Sequence, residues 1–235
     1  MGNHDSLRRL ANAGLALVAA IALGPVMLAI AALVWLDDRG PIFYRQTRLG
    51  LGGCRFRICK FRTLRGAKGG YGLVAPVGDS RITRVGSWLR RSHLDELPQL
   101  FNIFRGDMNF VGPRPARPQL WTGVDAALRE RALASRPGLT SPASIRFICE
   151  DSVLAEFDRA ETLYREVVYP AKVAMDVGYF ENHSIWGDLK VLGATVTAVV
   201  GQRNDSRCRQ RLAWLLRDRP EAQRLHNREA SREDS

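Results

Sequence analysis

The feature that most constrains this chain is an apolar run from Leu10 to Leu36 that contains no charged residue. The run is built almost entirely of alanine, leucine, valine and isoleucine, and it exceeds the ~20 residues that a helix needs to cross a bilayer. A signal peptide is the weakest interpretation, because the run is longer than the usual apolar segment of such peptides and no small-residue cleavage site is evident. We therefore expect this segment to lie in a membrane.

The course of this segment has two alternatives, because Gly24 and Pro25 interrupt its middle. Proline removes a helical hydrogen bond, so a kink or break is expected there. Basic residues flank both ends: Arg8 precedes the run, and no acidic residue occurs from Arg39 to Lys68. Both flanks therefore favour the cytoplasm. A re-entrant helix that breaks at Gly24 and Pro25 satisfies these preferences, and a kinked spanning helix remains the alternative.

Composition limits the class of partner without choosing one. The chain has 235 residues, 46% of them apolar, which is enough for a real core. A formal net charge of +11 indicates an anionic partner, which could be nucleic acid, an anionic lipid surface or a phosphorylated substrate.

The remaining pattern predicts a mostly α fold with a small β hairpin. Short strands are expected at residues 42–44 and 56–58, on either side of a glycine-rich turn at 50–53. Residues 66–80 are predicted to form a mobile loop near a site. Residues 151–182 are expected to be helical, and 188–200 to form an apolar helix that lies either in the membrane interface or in the core.

A further short helix is predicted to end near Gly106, with an apolar face that repeats at three- and four-residue intervals. Pro98 is tolerated only in the first turn, so the helix should begin close to Asp95. The residues expected to be buried on this face are Leu94, Leu97, Phe101 and Phe104.

Asp95 and Glu96 would then lie together at a helix N-terminus. The ordinary explanation is capping and favourable interaction with the helix dipole, worth about 1 kcal/mol. The alternative is catalysis, because a carboxylate nucleophile among cations suits phosphoryl chemistry on an anionic substrate. The nearby cations are Arg90, Arg91, Arg105 and Arg114.

Arg114 stands between Pro113 and Pro115, which restrict the backbone on both sides. A guanidinium held in this way suits bidentate phosphate binding. The alternative is an ordinary surface arginine in a proline-rich turn.

Short blocks of sequence, in this order and spacing, resemble the monotopic polyprenyl-phosphate phosphoglycosyl transferases, the bacterial sugar transferase family. The match extends from about residue 7 to about residue 200. Each block alone is weak evidence, but their combined order is very specific. The blocks are residues 38–46, 60–64, 81–86, 94–100, 106–108, 111–115 and 136–140.

The resemblance implies an enzyme that transfers a sugar 1-phosphate from a UDP-sugar to polyprenyl (undecaprenyl) phosphate and releases UMP. Asp95 corresponds to the family's nucleophile and Glu96 to its Mg²⁺ ligand. Arg114 corresponds to a nucleotide- or phosphate-binding residue, and Lys60 and Arg62 to a basic wall. The family's re-entrant helix favours a break at Gly24 and Pro25.

The resemblance also implies a bacterial inner-membrane protein whose catalytic part faces the cytoplasm and begins the assembly of an exopolysaccharide, lipopolysaccharide or other glycoconjugate. We expect a membrane segment at 1–38, a catalytic domain at 39–200 and a charged helix or tail at 201–235. A homodimer is compatible with the sequence, which does not define the oligomeric state. Residues 141–145 depart from the family's pattern, so no sugar specificity is carried over.

Other classes of function fit less well. A membrane-anchored nucleic-acid-binding protein would explain the charge, but the chain shows no nucleic-acid-binding motif, and no nucleic-acid partner is expected. A glycosyltransferase that releases UDP would not need a nucleophilic aspartate. A membrane scaffold without enzymatic activity is the third alternative.

Overall fold

The computed structural model describes residues 2–66, 79–148, 150–154 and 160–201, and it is mostly helical with two small two-stranded sheets. Most of the predicted loop at 66–80 and the predicted C-terminal helix or tail lie outside the described residues. The elements are α1 (Gly2–Asp38), β1 (Phe43–Leu49), β2 (Arg55–Phe61), α2 (Arg84–Ser92), α3 (Gln99–Arg105), β3 (Asn109–Val111), α4 (Ala126–Leu133), β4 (Gly138–Thr140), α5 (Pro142–Arg146), α6 (Glu150–Leu154), α7 (Ala160–Leu163), α8 (Tyr169–Phe180) and α9 (Ile185–Val200).

The predicted hairpin is confirmed, with strands longer than expected. β1 and β2 pair antiparallel, and a 3₁₀ turn at Leu51–Gly53 joins them. Gly52 and Gly53 have φ angles of 62° and 76°, in the left-handed region that glycine adopts without steric cost.

A second sheet, which the sequence pattern did not predict, pairs β3 with β4 in parallel. Its strands have only three residues each, too few for an alternating pattern to be recognised. Glycine is needed beside it because a Cβ on Gly138 would lie 2.0 Å from the Gly112 nitrogen. The close approach of these two backbones fixes the position from which residues 113–115 depart.

Helix α1 continues without interruption through Gly24 and Pro25, so the predicted break in helical structure is not observed. One side of α1 packs on the rest of the chain in two places. Ala16 joins a cluster with Leu100 and Ile103 of α3, and farther along a second cluster forms around Phe61 and Leu89. Each fully buried leucine or isoleucine in these clusters contributes about 1.5–3 kcal/mol. The α1 residues of the second cluster are Met27, Ile30 and Val34.

The other side of α1 is exposed and apolar. By length and composition, Ser6–Asp38 is able to cross a membrane, and most of its apolar segment is not buried against the rest of the chain. Both ends of α1 nevertheless contact the same folded body. Arg8 forms an ion pair of 2.5 Å with Asp188 of α9, and the Asp37 carboxylate accepts a 3.0 Å hydrogen bond from the Val85 amide of α2.

The prediction for α3 is right about its end and half right about its buried face, because Leu94 and Leu97 pack against the cluster around Phe61 and Leu89. Gly106 follows the last helical residue with a φ angle of 84°. Phe101 and Phe104, predicted to be buried, are 49% and 50% exposed, whereas Leu100 and Ile103 are buried against α1. The spacing identified an apolar side but could not show which side faces the protein.

The C-terminal helices surround the second half of the core. A π turn at Tyr164–Val168 leads into α8, where Pro170 lies in the first turn and needs no hydrogen-bond partner. In α9, Val191 is buried but Trp186 is 76% exposed. Because most of α9 is exposed, the core-helix alternative is wrong.

Candidate active site

Asp95 and Glu96 lie in a 3₁₀ turn, Leu94–Glu96, between α2 and α3. His93 ends α2 with a φ angle of 54°, which reverses the chain just before the pair. Pro98 is the residue that precedes α3, so the pair lies one turn before the α-helix rather than in its first turn. Both carboxylates are buried, each residue being 8% exposed.

Two cations hold Glu96. Its Oε1 accepts hydrogen bonds of 2.6 Å from Lys60 Nζ and 2.6 Å from Arg114 Nη2. These ion pairs lower the pKa of Glu96 well below its usual range despite burial. Glu96 is therefore a fixed carboxylate, oriented by β2 on one side and by the segment after β3 on the other.

Asp95 has a different environment. Among the described residues its ion pair is a long one, 3.9 Å from Lys60 Nζ to Oδ2. Burial raises the pKa of Asp95 to about 6, while the Lys60 charge opposes that shift. A carboxylate that is buried, ionised near neutral pH and only loosely paired retains oxygens that can attack a substrate.

Arg114 is held through its backbone as well as its side chain. The Asp176 carboxylate of α8 accepts hydrogen bonds from the Arg114 amide at 3.4 Å and the Ala143 amide at 3.0 Å. Asp176 is buried, which raises its pKa to about 6. The predicted preorganised arginine thus has a physical basis in Asp176 and in the prolines on either side.

The two carboxylates open into a cavity of about 590 Å³. Arg62 and Arg90 reach it while paired with Asp38 and Asp151, the second pair at 2.8 Å. The predicted site residues that line the cavity are Lys60, Arg62, Arg90, Asp95, Glu96, Pro113, Arg114 and Pro115.

Two of the predicted basic residues are not brought to this cavity. Arg91 is exposed on α2, on a different side from Arg90. The Arg105 side chain is 75% exposed and lies 3.8 Å from Asp107. The nearness of these arginines to the carboxylates in sequence did not place them together in space.

The structure adds a second buried ion pair that sequence reasoning missed. Lys172 Nζ lies 2.6 and 2.5 Å from the Glu150 carboxylate oxygens, and both residues line the cavity. A signal was present: Lys172 and Asp176 fall on the same helical face as Tyr169 and Val173, which is apolar and buried. Charged residues on such a face are usually paired and often belong to a site.

The donor set is compatible with the Mg²⁺ ion that the resemblance implies. Among the described residues, no group of three or more histidine, cysteine, aspartate or glutamate side chains could hold a metal. Mg²⁺, however, commonly binds through one or two carboxylates together with substrate phosphates. Glu96 Oε2 has only a 3.5 Å contact with Arg114 and keeps capacity for such a cation.

Comparison with known proteins adds the family. The chain is 37% identical to UDP-glucose:undecaprenyl-phosphate glucose-1-phosphate transferase of Xanthomonas campestris pv. campestris, over 80% of this chain and 38% of that protein. It is 38% identical to the protein of the same name from Caulobacter vibrioides, over 77% and 64%. The third relative, exopolysaccharide production protein ExoY of Sinorhizobium fredii, is 36% identical over 79% and 81%.

The chain spans less than two thirds of the length of the first two relatives. The family model described as bacterial sugar transferase matches residues 3–202, which is most of the chain and includes the site. The chain belongs to the bacterial sugar transferase family.

Proposed function

We propose that this chain transfers a sugar 1-phosphate from a UDP-sugar to undecaprenyl phosphate, with release of UMP. The names of the relatives support this substrate class, and glucose is the first sugar to test. Ser144 and Ile145, in the segment that departs from the family pattern, line the cavity and make the sugar a matter for direct assay. By analogy with the relative named ExoY, the product would enter exopolysaccharide assembly.

The observation that carries the proposal is the unequal pairing of the two carboxylates. Glu96 is fixed by two cations at 2.6 Å, whereas Asp95 has its ion pair at 3.9 Å. Capping alone does not account for this arrangement, because the carboxylates face a cationic cavity. Asp95 is accordingly the nucleophile and Glu96 the fixed partner.

The reaction then proceeds in two displacements. An Asp95 oxygen forms a bond to the β-phosphorus of the UDP-sugar, and the bond from that phosphorus to the bridging oxygen breaks, releasing UMP. A phosphate oxygen of undecaprenyl phosphate next attacks the same phosphorus and frees the Asp95 carboxylate. Lys60 and Arg114 lie beside the charge that develops on the phosphoryl oxygens.

Mg²⁺ is part of the proposal. Glu96 would hold it together with diphosphate oxygens, and the ion would supply neutralisation of the diphosphate charge.

The acceptor is an amphiphile with a phosphate head and an apolar chain, and the cavity has a basic wall and an apolar wall. Its basic wall is near the carboxylates, and one stripe of α9 forms an apolar wall. The stripe follows helical spacing, so the residues share one side of the helix. These residues are Leu192, Thr195, Val196 and Val199.

The proposed location is the cytoplasmic side of the bacterial inner membrane, with α1 re-entrant through a kink at Gly24 and Pro25 and not through a break in helical structure. A spanning α1 would carry one of its ends across ~30 Å of hydrocarbon, away from the folded body. Arg8 and Asp37, near opposite ends of α1, instead both contact that body. The exposed apolar residues of α1 and α9 would face lipid.

Trapping the intermediate tests the chemistry. Purified protein in detergent, given UDP-glucose and Mg²⁺ without acceptor, should release UMP and gain the mass of a hexose phosphate on Asp95, detected by peptide mass spectrometry. Asp95→Asn should lose at least about 1,000-fold in turnover, because the amide is not a nucleophile of comparable strength. UDP as the product, or an adduct on Glu96, would overturn the assignment.

The topology has a separate test. In a background without the four native cysteines, single cysteines at Arg8 and Arg45 should both be labelled from the cytoplasmic face by a membrane-impermeant maleimide. Labelling of the two positions from opposite faces would replace the re-entrant helix with a spanning one.

A further inference from the structure

The inward face of β1 is polar, which is unusual for a half-buried strand. Every second residue of β1, namely Phe43, Arg45 and Thr47, is exposed, and the residue after each of them lines the cavity. Such an inner face is normally apolar, because burying polar groups without partners is costly. The inward residues are Tyr44, Gln46 and Arg48.

Buried polar atoms without a hydrogen-bond partner concentrate around the same cavity. Among the described residues six such side-chain atoms occur, and all six belong to residues that line it. Each unpaired atom costs about 1–3 kcal/mol. Four form the wall that we call the β1 wall: Gln46 Oε1, Arg48 Nε, Trp121 Nε1 and Tyr169 Oη.

Arg48, Trp121 and Tyr169 are neighbours in space, and Gln46 lies on the same face of β1 as Arg48. The Trp121 and Tyr169 rings meet edge to face with centroids 5.5 Å apart, and the Arg48 charge acts on the Tyr169 hydroxyl. Leu49, the next residue of β1, packs in the cluster that contains both rings.

Among the described residues, no carboxylate forms an ion pair with the charge of this wall. Arg48 lies close to the guanidiniums of Arg114 and Arg117, and burial together with these two charges lowers the pKa of Arg48 to about 10. Arg114 connects the wall to the carboxylate pair, because it also contacts Glu96. A bound anion between Arg48 and Arg114 would stabilise both cations.

We propose that the β1 wall binds the nucleotide half of the donor, with Arg48 contacting the phosphate that remains on UMP after the sugar phosphate moves to Asp95. The inference rests on the proposed function. Arg48 Nε and Trp121 Nε1 are donors only, which suits phosphate oxygens and uracil carbonyls. Gln46 Oε1 accepts, which suits the uracil N–H. A neutral sugar would leave the Arg48 charge without an anion.

Binding of UMP to the full chain in detergent, measured by isothermal titration calorimetry, tests the inference without turnover. Arg48→Met should weaken UMP binding about 10- to 100-fold, the range expected for losing a charged hydrogen bond. Trp121→Phe removes one donor and keeps a smaller aromatic ring, so it should weaken binding about threefold to tenfold. Glucose 1-phosphate should bind each variant as it binds the wild type.

Arg45→Met is the matched control, because it removes the same charge from the exposed face of the same strand. It should bind UMP normally. Wild-type affinity in Arg48→Met, equal losses in Arg45→Met, a wild type that does not bind UMP, or a loss of glucose 1-phosphate binding instead would each overturn the inference. If Arg48→Met lowers the midpoint of thermal unfolding, the same comparison of UMP and glucose 1-phosphate binding is made with Trp121→Phe.

The two proposals fail separately. If the wild type binds UMP through Arg48 but releases none from a UDP-sugar, the transferase proposal is wrong and the assignment of the β1 wall to the nucleotide is retained. If turnover and the Asp95 adduct are normal while Arg48→Met binds UMP fully, only the wall is wrong.

Discussion

Helices α8 and α9 follow one another in the chain and are both largely apolar, yet α8 buries charged side chains whereas α9 exposes apolar ones. In α8, Lys172 and Asp176 are 4% and 2% exposed. In α9, Trp186 and Leu189 are 76% and 52% exposed. In a water-soluble domain charged residues are rarely buried and large apolar patches rarely exposed.

The difference lies in what surrounds each helix. α8 forms part of the cavity wall, and its charged side chains have partners there. Lys172 pairs with Glu150, and Asp176 accepts hydrogen bonds from the Arg114 and Ala143 amides. α9 has the membrane proposed on its outer side, where exposed apolar residues are stabilising. The comparison shows that α8 contributes buried charged groups that position site residues, whereas α9 contributes apolar surface.

The largest effect is expected from removing the α8 charge. Lys172→Met would leave Glu150 buried without its cation and further raise the pKa of Glu150, which burial already raises. Breaking a buried pair costs about 3–5 kcal/mol of unfolding free energy. A decrease of roughly 10 °C in the midpoint of thermal unfolding in detergent is expected.

Two further variants sharpen that result. Lys190→Met makes the same substitution on exposed α9 and should change the midpoint little. Adding Glu150→Gln to Lys172→Met should recover much of the loss, because no uncompensated charge remains. Equal midpoints for Lys172→Met and Lys190→Met would show that the buried pair does not stabilise α8.

Much of the fold could be predicted from local pattern. The hairpin followed from strand residues on either side of glycines, and the end of α3 followed from Gly106. What failed depended on the environment: Phe101 and Phe104 have helical spacing, but spacing does not reveal whether lipid or protein covers a face. The helix also continues through Pro25, because removal of one hydrogen bond does not require a break.

Apart from Lys60 and Arg62, which the family resemblance supplied, the candidate site was predictable only where its residues are close in sequence. Asp95, Glu96 and Arg114 fall within one stretch that has specific motifs. Glu150 and Lys172 are brought to the cavity by tertiary packing, and no short-range pattern links them to the carboxylates. Proximity in sequence also gave a wrong prediction for Arg91. Successive residues of a helix point in different directions, so Arg90 lines the cavity and Arg91 does not.

A smaller effect is expected at Arg114, which α8 positions through Asp176. Arg114→Lys keeps the charge but loses the fork that contacts both Glu96 oxygens, at 2.6 and 3.5 Å. We expect kcat/KM for the UDP-sugar, measured by UMP release, to fall about 10- to 100-fold without unfolding. Arg131→Lys, at an exposed ion pair, should retain wild-type kinetics. Normal kinetics in Arg114→Lys would refute the preorganised arginine.

The smallest effect is expected on α9, and it tests whether the two sides of that helix have different roles. Val199 lines the cavity, whereas its neighbour Val200 points away from it and is 75% exposed. Val199→Ser removes apolar contact worth roughly 1 kcal/mol, so the KM for undecaprenyl phosphate should rise about fivefold. Formation of the Asp95 adduct, which needs no acceptor, should be unchanged. Val200→Ser makes the same substitution on the exposed side, weakens membrane contact alone and should leave the KM unchanged in detergent micelles. If both variants raise the KM equally, α9 acts only as a membrane anchor and its inner stripe does not bind the acceptor chain.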